Sequence, residues 1–173
     1  MTEKVVDLGC GANKTSGSFG VDIHPFPGVD LVTSFDSVPW PIEGGRFDRI
    51  ICRQIMEHVM DPVSFMSEIH RIARSGALVQ VVTPHYSSIF SWSDPTHLRH
   101  LSLHWYKPFL AGAYLVSRSG AFELVSSRVT FGGSIKALTG KVLVKLLGQD
   151  RWERDFAFVY PGRDIETTLK AIK

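Results

Sequence analysis

The segment from Val5 to Ile23 constrains the fold of this chain most, because it pairs a glycine turn with a second apolar run that ends in an acid. The run at 5–8 is apolar and β-branched, and Gly9 and Gly11 follow it at once. Glycines let a backbone turn tightly and approach a ligand closely. Asp22 ends the second run, where its carboxylate can accept both hydroxyls of a ribose. The pattern predicts a nucleoside-cofactor site, and a plain tight turn is its simpler alternative.

Further apolar runs predict a doubly wound sheet. They are bounded by Gly, Pro and Asp, as buried parallel strands are. Before the fifth run, apolar residues recur at helical spacing, with Asp61 as N-cap, Pro62 in the first turn and Gly76 at the end. The predicted strands are 5–8, 19–23, 31–34, 49–52 and 77–82.

The order of these motifs resembles that of the class I S-adenosylmethionine-dependent methyltransferases of small-molecule type, from Val5 to about Phe109. The turn Asp7-Leu8-Gly9-Cys10-Gly11 matches the acidic-Leu-Gly-Cys-Gly turn that lies under the methionine part of the family's cofactor. Asp22 matches the acid that holds the ribose, and Asp36 matches one that contacts the adenine amine. The segments 47–52, 56–62 and 74–84 resemble the fourth strand, the start of the next helix and the fifth strand.

The resemblance implies an α/β, Rossmann-like methyltransferase fold with a mostly parallel seven-stranded sheet in the order 3-2-1-4-5-7-6. In that family, a helix over 103–116 and terminal strands over 122–131 and 156–160 would complete the fold. The insertion 132–148 is expected to be helical, and 164–173 is either a short helix or a further edge strand. The resemblance also implies S-adenosyl-L-methionine as cofactor, held by Asp7, Gly9, Gly11, Asp22, Ile23, Asp36, Ser37, Arg53 and Gln54.

The first two crossover connections are too short for full helices. Only about a dozen residues separate Gly9 from Asp22, and a similar number separate Asp22 from Asp36, so shortened crossover helices are expected. We expect one face of the sheet to expose apolar surface as a result. Either the insertion 134–148 covers that face, or two chains pair there as a homodimer.

The acceptor of the methyl group is expected beyond the carboxyl ends of the fourth and fifth strands. His85, Asp94 and His97 are the candidate catalytic residues, with His58 as a further histidine beside them. Structural roles compete with the catalytic ones: His58 can order a turn, His85 can be structural, and Asp94 can cap its own turn. An aromatic wall is expected from Tyr86, Phe90, Trp92, Trp105 and Tyr106.

Three histidines are also candidate metal ligands. His97, His100 and His104 could ligate an ion together with Asp94. No cysteine joins them and no carboxylate shell is evident, so no metal is expected.

Other functional classes fit the sequence less well. A nicotinamide-dependent dehydrogenase would place a third glycine where Asn13 stands. A nucleic-acid methyltransferase would carry an Asn/Asp-Pro-Pro-aromatic tetrapeptide where 53–56 stands, and a cationic groove. A cofactor-binding protein without transferase activity stays open as an alternative.

Composition predicts one compact domain over 1–173, since 44% hydrophobic content fills one core. A net charge of +2 is too small to indicate a nucleic-acid partner. Lys136, Lys141 and Lys145 are interpreted as the solvated face of an amphipathic helix. The chain starts with polar residues, its two cysteines form no disulfide framework, and no apolar run spans a bilayer. We therefore expect a cytoplasmic protein with a small-molecule acceptor and no membrane partner.

Overall fold

A computed structural model describes residues 3–173 and confirms the Rossmann-like sheet. Met1 and Thr2, which begin the polar start of the chain, lie outside the described residues. The strands are Val5–Leu8 (β1), Phe19–Asp22 (β2), Leu31–Val32 (β3), Phe47–Arg53 (β4), Ala73–Pro84 (β5), Ala121–Val129 (β6) and Asp164–Ile172 (β7). The α-helices are Pro62–Ile72 (α1), Ile89–Ser93 (α2), Val116–Ser119 (α3), Ile135–Leu147 (α4) and Gln149–Phe156 (α5).

The seven strands follow the predicted order β3-β2-β1-β4-β5-β7-β6. The first five pair in parallel, and β7 is antiparallel to both of its neighbours. Val6 lies opposite Ile50, and Leu8 lies opposite Cys52. These four side chains are fully buried on one face of the sheet, where α1 packs. The hydrophobic core therefore lies between α1 and this face.

The carboxyl-terminal strands differ from the prediction in one respect. The expected strand at 156–160 is wrong, because α5 ends at Phe156 and a turn follows it. The segment 164–173 supplies the missing strand instead, and it lies inside the sheet between β5 and β6. Ile165, Leu169 and Ala171 are fully buried at alternate positions, which is the period of a strand.

Two helix expectations are also corrected. The helix expected over 103–116 is wrong, because Pro108 and the positive φ of Gly112 interrupt it. A single 3₁₀ turn, Lys107–Phe109, forms there. Helix α1 ends at Ile72 instead of at Gly76, because Ala73 already has extended backbone angles and begins β5.

The first two crossover helices are absent from the described chain, as the sequence predicts. Residues 9–18 and 23–30 form turns and extended segments instead. The third connection, between β3 and β4, also lacks a helix among the described residues. Trp40 and Ile42 from this connection are buried in the core, so two side chains take the place of a covering helix.

The face of the sheet opposite α1 is mostly polar, with Ile51, Leu78 and Val82 as apolar positions, so it exposes less apolar surface than expected. Asp7, Arg49 and Arg53 alternate with core residues on β1 and β4, and Gln80 and Thr168 continue this face across β5 and β7. Ion pairs join several of its side chains, such as Arg53 to Asp7 at 2.7 Å. Water can solvate its exposed charged side chains, while Asp7 and Ile51 are buried and Thr15 of the turn after β1 bonds Asp7. The homodimer stays a prediction, but a large exposed apolar face no longer supports it.

The insertion is helical, as predicted, but α4 does not lie across that face. It packs against α5 and Phe131, which approaches Gly140 so closely that a Cβ there would lie 2.4 Å from the ring. The three lysines of α4 are exposed, as expected. The same outer surface also exposes four apolar side chains: Ile135, Leu138, Val142 and Leu146. Across residues 3–173, each helix falls short of the length and apolarity that crossing a membrane requires.

A buried carboxylate anchors the connection that replaces the third crossover helix. Glu68 of α1 accepts a hydrogen bond from the backbone N–H of Trp40 at 2.7 Å and a bidentate pair from Arg71 at 2.7 and 2.8 Å. Arg71 also donates to the carbonyl oxygens of Trp40 and Ile42. Burial would raise the pKa of Glu68, but the bonds from Arg71 and Trp40 outweigh it and lower that pKa.

We expect Glu68→Gln to lower the free energy of unfolding by about 2 kcal/mol, because the amide loses charged hydrogen bonds and turns a donor toward Arg71. Urea denaturation at pH 7 measures this loss. Glu43→Gln is the matched control, since Glu43 is exposed on the same connection. Equal losses in the two variants would contradict the anchoring role of Glu68.

The effect of Glu68 should also depend on pH. A carboxyl whose pKa is lowered by folding stabilises the protein above its unfolded pKa of about 4.3, and that contribution is lost as the pH falls through the folded value. The difference in unfolding free energy between the wild type and Glu68→Gln should therefore be full at pH 7 and shrink toward about pH 3. A difference that is constant with pH would contradict this assignment.

Candidate functional site

A cavity of about 420 Å³ opens at the carboxyl ends of β1, β2 and β4. We call it the strand-end cavity. This is the edge of a doubly wound sheet where ligands bind, because the strand order reverses there. Its lining residues are Gly9, Asp22, Ile23, His24, Ser34, Phe35, Asp36, Gln54, Ile55, His58, Val59 and Thr96.

Gly9 at the end of β1 permits close packing at the base of this cavity. Its φ is +68°, and a Cβ there would lie 2.0 Å from Cδ1 of Ile55. The backbone angle therefore favours glycine, and a side chain here would have to displace the end of Ile55. Gln54, which follows β4, has a φ of +55°, the only positive value for a non-glycine residue in the described chain. Such strained residues gather at functional sites.

Asp22 lies at the cavity with its carboxylate held by the backbone. One oxygen accepts from the N–H of Gly11 at 2.8 Å, and the other accepts from the N–H of His24 at 2.9 Å. Each oxygen keeps a second lone pair for a ligand hydroxyl. Asp36, at the far side, accepts from the N–H of Met60 at 2.8 Å, which joins the third connection to the turn after β4.

Five of the nine predicted cofactor residues line this cavity: Gly9, Asp22, Ile23, Asp36 and Gln54. Gly11 lies behind the cavity, bonded to Asp22, and Ser37 is exposed beside Asp36 without lining it. Asp7 and Arg53 lie on the face of the sheet opposite α1. Asp7 accepts from the backbone N–H of Thr15, and Arg53 donates to the Thr15 hydroxyl, so both hold the turn after β1. Asp7 therefore shapes the glycine turn.

A second cavity, of about 540 Å³, lies beyond the end of β5. We call it the aromatic cavity, since Tyr86, Phe90, Trp92 and Phe158 line it. Arg163, which precedes β7, is its charged lining residue, and its guanidinium lies 5.7 Å from the ring centroid of Phe90. Trp105 and Tyr106, also predicted for an aromatic wall, pack against the core instead.

His85 is placed differently from the catalytic expectation. Its side chain is fully buried, Nδ1 lies 2.7 Å from Oγ of Ser87, and Nε2 lies 3.0 Å from a carboxylate oxygen of Glu153. The ring also stacks at an angle against Trp152. Both nitrogens are engaged, so the geometry favours a structural role that joins the start of the loop to α5.

The loop after α2 is tied to the turn after β4 near the strand-end cavity. Leu98 donates its N–H to the carbonyl oxygen of Glu57 at 2.9 Å, and Arg99 donates to the carbonyl oxygens of Val59 and Met60. His58 and Thr96 contact each other through Nδ1 and Oγ1 at 3.0 Å. This segment therefore forms a wall of the cavity.

The three histidines considered as metal ligands, His97, His100 and His104, do not form a cluster among the described residues. His97 contacts α2 through the carbonyl of Ser91. His100 stacks on Trp92, and His104 pairs with Asp150 on α5. Asp94 is exposed and caps its own turn by accepting from Thr96.

Sequence reasoning missed part of the cavity lining. Seven lining residues were not predicted to bind the cofactor: His24, Ser34, Phe35, Ile55, His58, Val59 and Thr96. His24, Phe35 and Ile55 directly adjoin predicted residues, so proximity in sequence was a usable signal. Thr96 comes from a distant loop, and its place depends on tertiary contacts.

Comparisons with known proteins agree with this geometry. A family model described as a methyltransferase domain matches residues 2–128, which is well over half of the chain. Among curated proteins, none matches the sequence.

Solved structures share the fold at low identity. A protein described as a methyltransferase, in complex with the Trm112 activator of Haloferax volcanii, is 20% identical with a TM-score of 0.65, over 99% of this chain and 83% of that one. An S-adenosylmethionine-dependent methyltransferase from Archaeoglobus fulgidus is 16% identical with a TM-score of 0.64, over 97% and 86%.

A Bacillus halodurans protein described as a methyltransferase is 16% identical with a TM-score of 0.65, over 99% of this chain and 94% of that chain. These likenesses show the Rossmann-like methyltransferase fold, and the family model shows the family. The chain belongs to the methyltransferase domain family and has the class I, Rossmann-like methyltransferase fold.

Proposed function

We propose that this chain binds S-adenosyl-L-methionine in the strand-end cavity and methylates a small molecule held in the aromatic cavity. The observation that carries the proposal is the pairing of Gly9 and Asp22 at one cavity, at the reversal of strand order. A backbone that needs glycine allows a close approach to the cofactor, and the carboxylate can accept the two ribose hydroxyls.

The lining residues fit the parts of this cofactor. Gly9 suits the methionine part, because a side chain at this position has no room. Asp22 offers free lone pairs on two oxygens to the ribose. Phe35, Ile55 and Val59 form the apolar part of the lining, which suits the adenine ring, and Asp36 can accept from its amine.

The aromatic cavity supports an acceptor with an apolar body. Four aromatic side chains line it, and Arg163 provides one charged group at its edge. Cavities of this size bind small molecules through apolar walls and a few polar groups. A nucleic acid would require a cationic groove, whereas Arg163 is the one cationic residue among the described residues that line the aromatic cavity.

The chemistry requires little of the protein beyond positioning. The bound cofactor supplies an electrophilic methyl group on a sulfonium. The chain holds the acceptor in line with that group and excludes water, and these two effects account for much of the rate in such displacements. Asp94 and His97, which lie beside the strand-end cavity, are the remaining candidates for moving an acceptor proton, because His85 has no free nitrogen.

We expect Asp22→Ala to weaken S-adenosylmethionine binding by about 1.5–3 kcal/mol, the cost of losing hydrogen bonds to a charged group. Titration calorimetry measures the dissociation constant, which should rise about 10- to 150-fold. Asp48→Ala is the matched control, because Asp48 bonds Lys4 and Arg74 away from the cavity. An unchanged dissociation constant in Asp22→Ala would remove Asp22 from the ribose site.

The acceptor assignment predicts a separate effect. Once a screen for acceptor-dependent S-adenosylhomocysteine release has found a substrate, Phe90→Ala and Trp92→Ala should each raise its KM about 5- to 150-fold, since a buried aromatic contact contributes ~1–3 kcal/mol. The affinity for S-adenosylmethionine should not change. Tyr114→Ala removes an aromatic side chain that is 79% exposed outside the cavity, and it should leave KM unaltered. Equal KM values in all variants would place the acceptor elsewhere.

A further inference from the structure

Glu57, His58 and His97 bring their ligand atoms within 4.8 Å of one another. We call these three residues the two-histidine cluster. Glu57 and His58 follow β4, and His97 lies about forty residues later, after α2. The hydrogen bond from Leu98 N–H to the carbonyl oxygen of Glu57 brings the two segments together.

The hydrogen bonds around His58 fix which ring nitrogen carries its proton. The hydroxyl of Thr96 donates to Asp94 at 2.6 Å, so its proton is not available to the ring. Nδ1 of His58 lies 3.0 Å from that hydroxyl oxygen and 3.3 Å from the carbonyl oxygen of Thr96, and both must accept. Nδ1 therefore donates, and Nε2 of the neutral ring is a bare lone pair.

The same reasoning applies to His97. Its Nδ1 lies 3.0 Å from the carbonyl oxygen of Ser91, and a carbonyl can only accept. Nε2 is again left with a bare lone pair. Histidines that bind metals are held in this way, with the second ring N–H donated to a backbone carbonyl that fixes the tautomer.

The third member is a buried carboxylate with an unused oxygen. Glu57 is only 1% exposed, its Oε2 accepts from the hydroxyl of Thr83 at 3.0 Å, and its Oε1 has no hydrogen-bond partner. An unpartnered buried oxygen is costly. The carboxylate also lies within 4.8 Å of a ring nitrogen of each histidine, and a metal cation or a shared proton would relieve the repulsion among such acceptors.

We propose that the two-histidine cluster is a binding site for one divalent transition-metal ion. Two imidazoles and one carboxylate are the ligands of catalytic zinc and of non-haem iron sites, and manganese and cobalt accept the same set. Zinc holds nitrogen and oxygen ligands at ~2.0–2.2 Å, so the cluster closes around an ion with side-chain shifts of about 1 Å. Asp94, whose Oδ2 lies 3.9 Å from Nε2 of His97, is in reach as a fourth ligand.

The position of the cluster between the two cavities would allow such an ion to act on the acceptor. His58 and Thr96 line the strand-end cavity, while His97 contacts α2, which supplies Phe90 and Trp92 to the aromatic cavity. A coordination position left open there could bind an oxygen of the acceptor and lower the pKa of its hydroxyl. This consequence rests on the proposed function, whereas the metal site itself does not.

Metal binding can be tested without cofactor or acceptor. Protein freed of metal with a chelator is titrated with zinc by calorimetry and with cobalt by visible absorption. We expect one ion per chain for the wild type. Glu57→Gln keeps the shape of its side chain, and His97→Gln removes the imidazole but keeps a polar group. Each should weaken binding at least 100-fold, since even loss of a ligand's supporting partner costs 10- to 100-fold.

His104→Gln is the matched control, because His104 pairs with Asp150 outside the cluster. It should bind zinc as the wild type does. Failure of the wild type to bind either ion would overturn the site, as would unchanged affinity in both His97→Gln and Glu57→Gln. Circular dichroism and thermal unfolding without metal show whether each variant is folded, and His58→Gln provides a third ligand variant. Calorimetry with S-adenosylmethionine is run separately, so failure of the cofactor assignment is distinguishable from failure of the metal site.

Discussion

The parallel pairing of β1 with β4 determines where the polar groups of this protein can act. Because Leu8 lies opposite Cys52, the chain leaves both strands at the same edge of the sheet. Gly9 and Ile55 then meet at the base of the strand-end cavity, and the turn that continues from Ile55 carries Glu57 and His58. A shift of one residue would move each buried side chain of β4 to the opposite face. The cavity and the two-histidine cluster thus depend on one strand register.

The two faces of the sheet explain how the chain dispenses with covering helices. On β1 and β4 the core face is apolar, while the other face carries Asp7, Arg49 and Arg53. Arg53 serves this open face and also holds the glycine turn, because it bonds both Asp7 and Thr15. Most exposed positions on this face are charged or polar, so the short connections leave little apolar surface uncovered. The chain therefore tolerates short crossovers because charged side chains occupy the strand positions that a crossover helix would otherwise cover.

The parts of the fold that depend on local pattern were predictable from sequence, and the parts that depend on distant partners were not. The β1 turn and the helix start at Asp61 follow from residue types that act within a few positions. The segment 156–160 is apolar and was therefore predicted to be a strand. The sequence of β7 mixes polar and apolar residues, because the polar Thr167 is buried among apolar neighbours. Asp22 was predicted to reach the cavity. The position of Thr96 at the cavity depends on its hydrogen bond with His58, which lies 38 residues earlier in the chain.

The histidines show why residue type alone does not give chemistry. His85 follows β5 directly and has the most prominent position in the sequence, yet Ser87 and Glu153 occupy both of its nitrogens. His58 and His97 each donate one ring N–H to the backbone or to Thr96 and keep the other nitrogen bare. A histidine can bind a metal or accept a proton only through a nitrogen that its neighbours leave free. The carbonyl oxygens around the two-histidine cluster therefore decide its chemistry as much as the histidines do.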